Sequence, residues 1–126
     1  MIAIVTGANK GIGFEVARGL GRLGAVVYVG ARQPDLGAAA VAALRQDGIE
    51  ARSARLDVTD VDQICALRAV IEHEHGSLDV LVNNAGTGLD FTAPSEVSES
   101  DFRTTFETNV IGPVLMIQTF LPLLQQ

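Results

Sequence analysis

The chain has 126 residues, a single-domain length with material for one core. Hydrophobic residues make up 48% of it, which excludes a disordered chain. A formal net charge of -6 leaves no basic field for polymeric phosphates or an anionic bilayer, so nucleic-acid and membrane-surface binding are excluded and only a local basic pocket stays open.

Ile2 to Thr6 is an apolar, β-branched run ending at a glycine and predicts a buried strand. A helix is expected from Gly11, with Phe14, Ala17 and Leu20 on one face and a stop at Gly24. Ala25 to Gly30 predicts the second strand. The alanine-rich run AAAVAALRQ belongs to a helix that Gly48 caps, and 49–58 holds a third strand ending near Asp57. Thr59 or Asp60 caps the next helix, whose Val61, Ile64, Leu67 and Ile71 form an apolar stripe as far as Gly76. Leu78 to Asn84 predicts the fourth strand. After a loop over 85–97, a last helix capped by Ser98 or Ser100 runs through Phe102 and Phe106 towards Leu124. Strands apolar on both faces that alternate with helices predict parallel β-α-β units with right-handed crossovers. The expected fold is α/β, a three-layer α/β/α doubly wound parallel sheet of Rossmann-like type, in a single domain over 1–126.

The single cysteine, Cys65, can form no internal disulfide, and the first residues lack the basic and apolar regions of a leader, so a cytoplasmic protein is expected. The longest apolar stretch, 113–124, is broken by Gln118 and Thr119 and is shorter than the roughly 20 residues of a spanning helix, so no membrane segment is expected.

TGANKGIG, Thr6 to Gly13, carries the chain from the first strand into the first helix. Backbone N–H groups and the positive end of the helix dipole make such a turn a suitable seat for a pyrophosphate. Gly7 is assigned to the turn, Gly11 to close approach of the phosphate and Gly13 to packing of helix against strand. A tight βα turn without a ligand also needs glycine; the position between first strand and helix favours the phosphate reading. At the end of the second strand, YVGARQ has Ala31 and Arg32 where an NAD site carries a carboxylate for the ribose 2′-OH, and the next acid is Asp35. Arg32 and Lys10, the sole lysine, can converge on one phosphate, as NADP requires. An ordinary surface arginine is the alternative.

These residues, with LDVTD at Leu56 to Asp60, NNAG at Asn83 to Gly86 and TNVIG at Thr108 to Gly112, resemble the short-chain dehydrogenase/reductase family, and within it the carbonyl-reductase-like, NADP-preferring members. The resemblance implies NADP(H) as cofactor. It implies that Asn9, Lys10 and Ile12 join Gly7, Gly11 and Gly13 in holding it, that Asp57 contacts the adenine amino group beside Val58, and that Asn83, Ala85 and Gly86 line its adenosine side. A helix-initiating acid at Asp57 and a structural turn at Asn83 and Asn84 are the plainer alternatives.

The resemblance also makes Asn109 the first member of an Asn-Ser-Tyr-Lys tetrad, its main-chain carbonyl holding a water in a proton relay. The residues offer a physical reason. Pro113 has no N–H to engage the Asn109 carbonyl four residues back, and Gly112 adds local freedom, so a kink is expected. A mere helix distortion with Asn109 on the surface is the alternative.

In this family hydride passes between nicotinamide and a carbonyl or alcohol carbon, and the tyrosine of a Tyr-x-x-x-Lys pair exchanges the proton. Tyr28 and Lys10 are the only tyrosine and lysine, so that pair is not within these 126 residues; Tyr28 is expected to pack. The chain thus resembles the family's first half, with the sheet truncated after about four strands. Three readings remain: an NADP(H)-dependent oxidoreductase by lineage, a non-catalytic NADP-binding module, or an incomplete domain needing a partner chain. A small carbonyl or alcohol substrate is expected only with a C-terminal half. Self-association through the last helix or the fourth-strand edge is expected from unpaired apolar surface. No metal is expected, because neighbours in EHEH, Glu72 to His75, do not face one another and read as a hydrated helix end. Cys65 reads as a small filler or a helix-surface residue rather than a nucleophile.

Overall fold

In the computed structural model, which describes residues 1–88 and 92–124, four parallel strands lie in the order β3-β2-β1-β4: β1 (Ile2–Val5), β2 (Val26–Ala31), β3 (Ala51–Arg55) and β4 (Val80–Val82). Helices α1 (Gly11–Arg22), α2 (Pro34–Gln46), α3 (Val61–His75) and α5 (Gly112–Leu124) pack against it, while α4 (Glu99–Phe106) buries no residue. This is the doubly wound, Rossmann-like sheet. The loop expected over 85–97 includes 89–91, which lie outside the described residues, and contains a short 3-10 turn at Pro94–Glu96.

Register follows the two-residue period of the strands. Ile4 stands opposite Tyr28 of β2 and Leu81 of β4, so these side chains share one face of the sheet. That face is covered by Ile64, Leu67 and Ile71 of α3 and by Met116, Phe120 and Leu123 of α5, all buried. The other face carries Ala3, Val5, Val27 and Val29, covered by Ala17 of α1 and by Val41 and Leu44 of α2. Val61, expected in the apolar stripe of α3, is exposed because it sits in the first turn, before the helix reaches the sheet.

The helix ends have local causes. α2 starts at Pro34, before the alanine run, since the fixed φ of proline suits a first helical turn. Asp60 caps α3 by accepting from the Gln63 N–H at 3.2 Å, and Gly76 ends it at a φ of 76°. Ser98, not Ser100, caps α4, accepting from the Asp101 N–H at 3.0 Å. β4 is shorter than expected at both ends. The Leu78 N–H goes to the Leu123 carbonyl, outside the ladder, and Asn84 already turns towards the glycine loop.

The last helix runs through Pro113 without a break. Residues Glu107–Ile111 form a π turn between α4 and α5, with the Gly112 N–H donating to the Glu107 carbonyl five residues back. Proline cannot supply the i to i-4 bond, and the helix widens instead of breaking. Gly112 serves close approach rather than freedom: a Cβ there would lie 2.5 Å from Val58 Cγ2. Because the widened turn joins α4 to α5, Glu99–Leu124 is a helical run of 26 residues, long and apolar enough by length and composition to cross a membrane. That revises the expectation based on 113–124 alone. One stripe of the run, Met116, Phe120 and Leu123, is taken up by the core of the sheet.

Candidate functional site

A cleft of about 320 Å³ opens where β1, β2 and β4 deliver their C-terminal ends, near the lower limit for ligand pockets. Of the residues predicted from sequence, Gly7, Asn9, Lys10, Gly11, Arg32, Asp57, Val58, Ala85 and Gly86 line it. Ile12, Gly13 and Asn83 do not: Ile12 is 78% exposed at the head of α1, Gly13 is buried beneath the loop and Asn83 faces solvent beyond β4. Leu56, Asn84, Thr87 and Thr108 complete the lining, and sequence reasoning did not single them out as site residues. The available signal for Thr108 was its place beside Asn109 ahead of Gly112 and Pro113.

The glycine loop is held from both neighbouring strands. The Ala8 N–H donates to the Gly30 carbonyl of β2 at 3.0 Å. Thr6, 1% exposed, accepts at its hydroxyl from the N–H groups of Asn84 (3.0 Å) and Ala85 (2.9 Å). Gly7 has a φ of 63°, and a Cβ on it would lie 2.8 Å from Ala85 Cα, so it needs glycine for both conformation and space. Gly11 has a φ of 61° with open space around it; its requirement is conformational.

Asp57 is fixed at the cleft by Thr59, whose N–H (2.9 Å) and hydroxyl (2.7 Å) donate to Oδ1, while its own N–H donates to Gln63 Oε1 at 2.8 Å. It is the one carboxylate among the described lining residues, against the two cations Lys10 and Arg32. In a chain of net charge -6, this is a local basic pocket.

Asn109 does not line the cleft. Its side chain grips the backbone of Thr87 at two points: Oδ1 accepts from the Thr87 N–H at 2.8 Å and Nδ2 donates to the Thr87 carbonyl at 2.7 Å. The π turn is thereby tied to the segment after β4, whose Ala85, Gly86 and Thr87 form one wall of the cleft.

Tyr28 does more than pack. Its buried hydroxyl donates to Glu74 Oε2 at 2.6 Å, receives Arg52 at 3.3 Å and lies 2.9 Å from His75 Nε2. Burial, and then the bond to Glu74, push its pKa up to about 12. The same bond holds the Glu74 carboxyl below its ordinary range. The end of α3 is therefore folded onto β2 and β3 rather than simply hydrated, while Cys65 is exposed on the helix surface. Among the described residues no group of three His, Cys, Asp or Glu is placed to hold a metal ion.

The short chain dehydrogenase profile matches residues 1–126. The chain belongs to the short-chain dehydrogenase family. It is 40% identical over 126 residues to carbonyl reductase (NADPH) 1 of Homo sapiens, covering 98% of this chain and 45% of that protein. An uncharacterized oxidoreductase of Methylorubrum extorquens is 40% identical over 118 residues, covering 93% of this chain and 47% of that protein. Among solved structures, a metagenomic short-chain oxidoreductase in complex with NADP superimposes with a TM-score of 0.89 at 35% identity, over 97% of this chain and 55% of that one. An actinorhodin polyketide ketoreductase with NADPH gives 0.87 at 38% identity, over 95% and 46%. The chain spans about half the length of the relatives it matches. Its short-chain dehydrogenase cleft fits the phosphates of a dinucleotide in three respects: a glycine loop running into a helix N-terminus, space kept open by missing Cβ atoms, and two cations at the rim.

Proposed function

We propose that these 126 residues form the NADP(H)-binding part of a short-chain oxidoreductase that transfers hydride to or from a carbonyl or alcohol carbon. The observation that carries this reading is the meeting of Lys10 and Arg32 in one cleft with the glycine loop, with no carboxylate at the end of β2. Arg32 offers a planar fork to a 2′-phosphate and Lys10 a point charge. Gly7 and Gly11 let the backbone approach the pyrophosphate, and Asp57 with Val58 takes the adenine side. Asn109, through its grip on Thr87, fixes the wall where the nicotinamide half would enter, and its carbonyl, deprived of a donor at Pro113, holds a relay water. The cofactor would supply the hydride; the residues here bind and orient it. Since Tyr28 and Lys10 are the only tyrosine and lysine, the 126 residues bind without catalysing.

Calorimetric titration tests this directly. NADP should bind at least about tenfold more tightly than NAD, and Arg32→Ala should remove that preference while leaving NAD affinity in place. Binding of neither dinucleotide would overturn the reading. NADPH oxidation by the pure chain with any carbonyl would overturn the statement that it does not catalyse. The exposed apolar side chains of α4 and α5 favour a second element of this reading, self-association through the last helix.

A further inference from the structure

Asn84 and Gly13 meet under the glycine loop. Beyond the end of β1, the carbonyls of Thr6 and Gly7 leave the sheet ladder. A buried carbonyl left without a donor is unfavourable. Both are taken by one side chain: Asn84 Nδ2 donates to the Thr6 carbonyl at 3.0 Å and to the Gly7 carbonyl at 3.1 Å. The carboxamide that does this lies in the space a side chain at position 13 would need. A Cβ on Gly13 would fall 2.3 Å from Asn84 Nδ2 and 2.7 Å from the Gly7 carbonyl oxygen, whereas no atom of a strand is among its nearest contacts. Packing of α1 against β1 is therefore not what demands glycine here.

We infer that Asn84 is the positioning residue of the phosphate loop, and that Gly13 is glycine in order to admit its carboxamide. Asn84 draws the two carbonyls inward, so the loop offers N–H groups to the cleft and keeps acceptor oxygens away from an anion. The link to phosphate rests on the NADP(H) reading above; the interlock of Asn84 with Gly13 does not.

A double-mutant cycle separates the two. The variants Gly13→Ala, Asn84→Ala and the double are compared by urea midpoint in the absence of nucleotide. Removing the carboxamide removes the 2.3 Å contact and leaves the one with the Gly7 carbonyl oxygen at 2.7 Å, so Gly13→Ala should lower the midpoint clearly less in the Asn84→Ala background than in the unsubstituted chain, where it strongly destabilises or prevents folding. Additive losses, the methyl lowering the midpoint as much without the carboxamide as with it, would overturn the interlock. In folded Asn84→Ala, NADPH affinity should fall about tenfold while 2′-AMP, which has no pyrophosphate, binds within about twofold of the unsubstituted chain. An equal loss for both ligands would leave Asn84 a structural residue only and overturn its positioning role. If the unsubstituted chain binds no nucleotide, the NADP(H) reading fails and the stability cycle still decides the interlock.

Discussion

The cleft residues illustrate which kinds of side chain a sequence exposes to inference. Lys10 and Arg32 were legible because an acidic chain has few cations to spare and both follow strands that end on the same sheet edge. Asn84 and Thr6 were not, since their meaning lies in partners 77 and 78 positions away. Tyr28 is a sharper case. Read as packing, it is the centre of a polar cluster with Arg52, Glu74 and His75 that closes the end of α3 on the sheet. Its pKa of about 12 in the fold exceeds the ordinary tyrosine value of 10.0. Above pH 10 the unfolded chain loses the phenolic proton while the folded chain keeps it, so this contribution is complete below pH 10 and is lost as pH rises towards 12. Stability should fall by about 1.4 kcal/mol per pH unit across that window from this group. As the only tyrosine, Tyr28 reports itself by phenolate absorbance. Urea midpoints between pH 9 and pH 12, compared with Tyr28→Phe, should show the slope reduced by about that amount. A phenolate that titrates near the free value in the native chain would refute the closed cluster.

Elements were legible where periodicity governs them and illegible where a single contact does. The buried faces of β1, β2 and α3 follow from spacing alone, and so did the parallel α/β class. The π turn did not follow. Pro113 announces that one hydrogen bond is missing, but whether a helix answers by kinking or by widening depends on what holds the turn from outside. Here Asn109 holds Thr87 on one side and Gly112 rests on Val58 on the other. Both anchors touch cleft segments, so the widened turn is tied to the site. A methyl at position 112 would lie 2.5 Å from Val58 Cγ2 and 3.4 Å from the Val58 carbonyl. Gly112→Ala should therefore lower stability by about 1–3 kcal/mol through overpacking. It should also weaken NADP binding, because Val58 lines the cleft. Urea midpoints and calorimetry check both. An unchanged midpoint would mean that α5 moves off Val58 freely and that the turn is not anchored there.

At the scale of the molecule, one long surface has no partner among the described residues. Phe102, Phe106, Val110, Val114, Ile117 and Leu121 are each 43–62% exposed. In a regular helix, steps of four residues drift by about 40° each, and three such steps would carry Val114 far round from Phe102. The π turn holds more residues per turn and removes part of that drift, so the six fall into one stripe roughly 28 Å long. The stripe is nearly palindromic about Gly112. Two copies related by a two-fold axis there would set Phe102 against Leu121, Phe106 against Ile117 and Val110 against Val114, so that each phenylalanine faces a smaller side chain. Such an isologous pair is the commonest closed assembly. Self-association was expected from sequence, but the palindrome was not, because it needs the π turn to align it. Sedimentation at tens of micromolar should give a dimer, and Val110→Asp should give a monomer, since each copy would set a carboxylate against an apolar Val114. Val110 does not line the cleft, so nucleotide affinity should stay within about twofold in the monomer. A monomeric unsubstituted chain, or one that binds neutral lipid vesicles through this helix instead of pairing, would refute the dimer and assign the stripe to another surface.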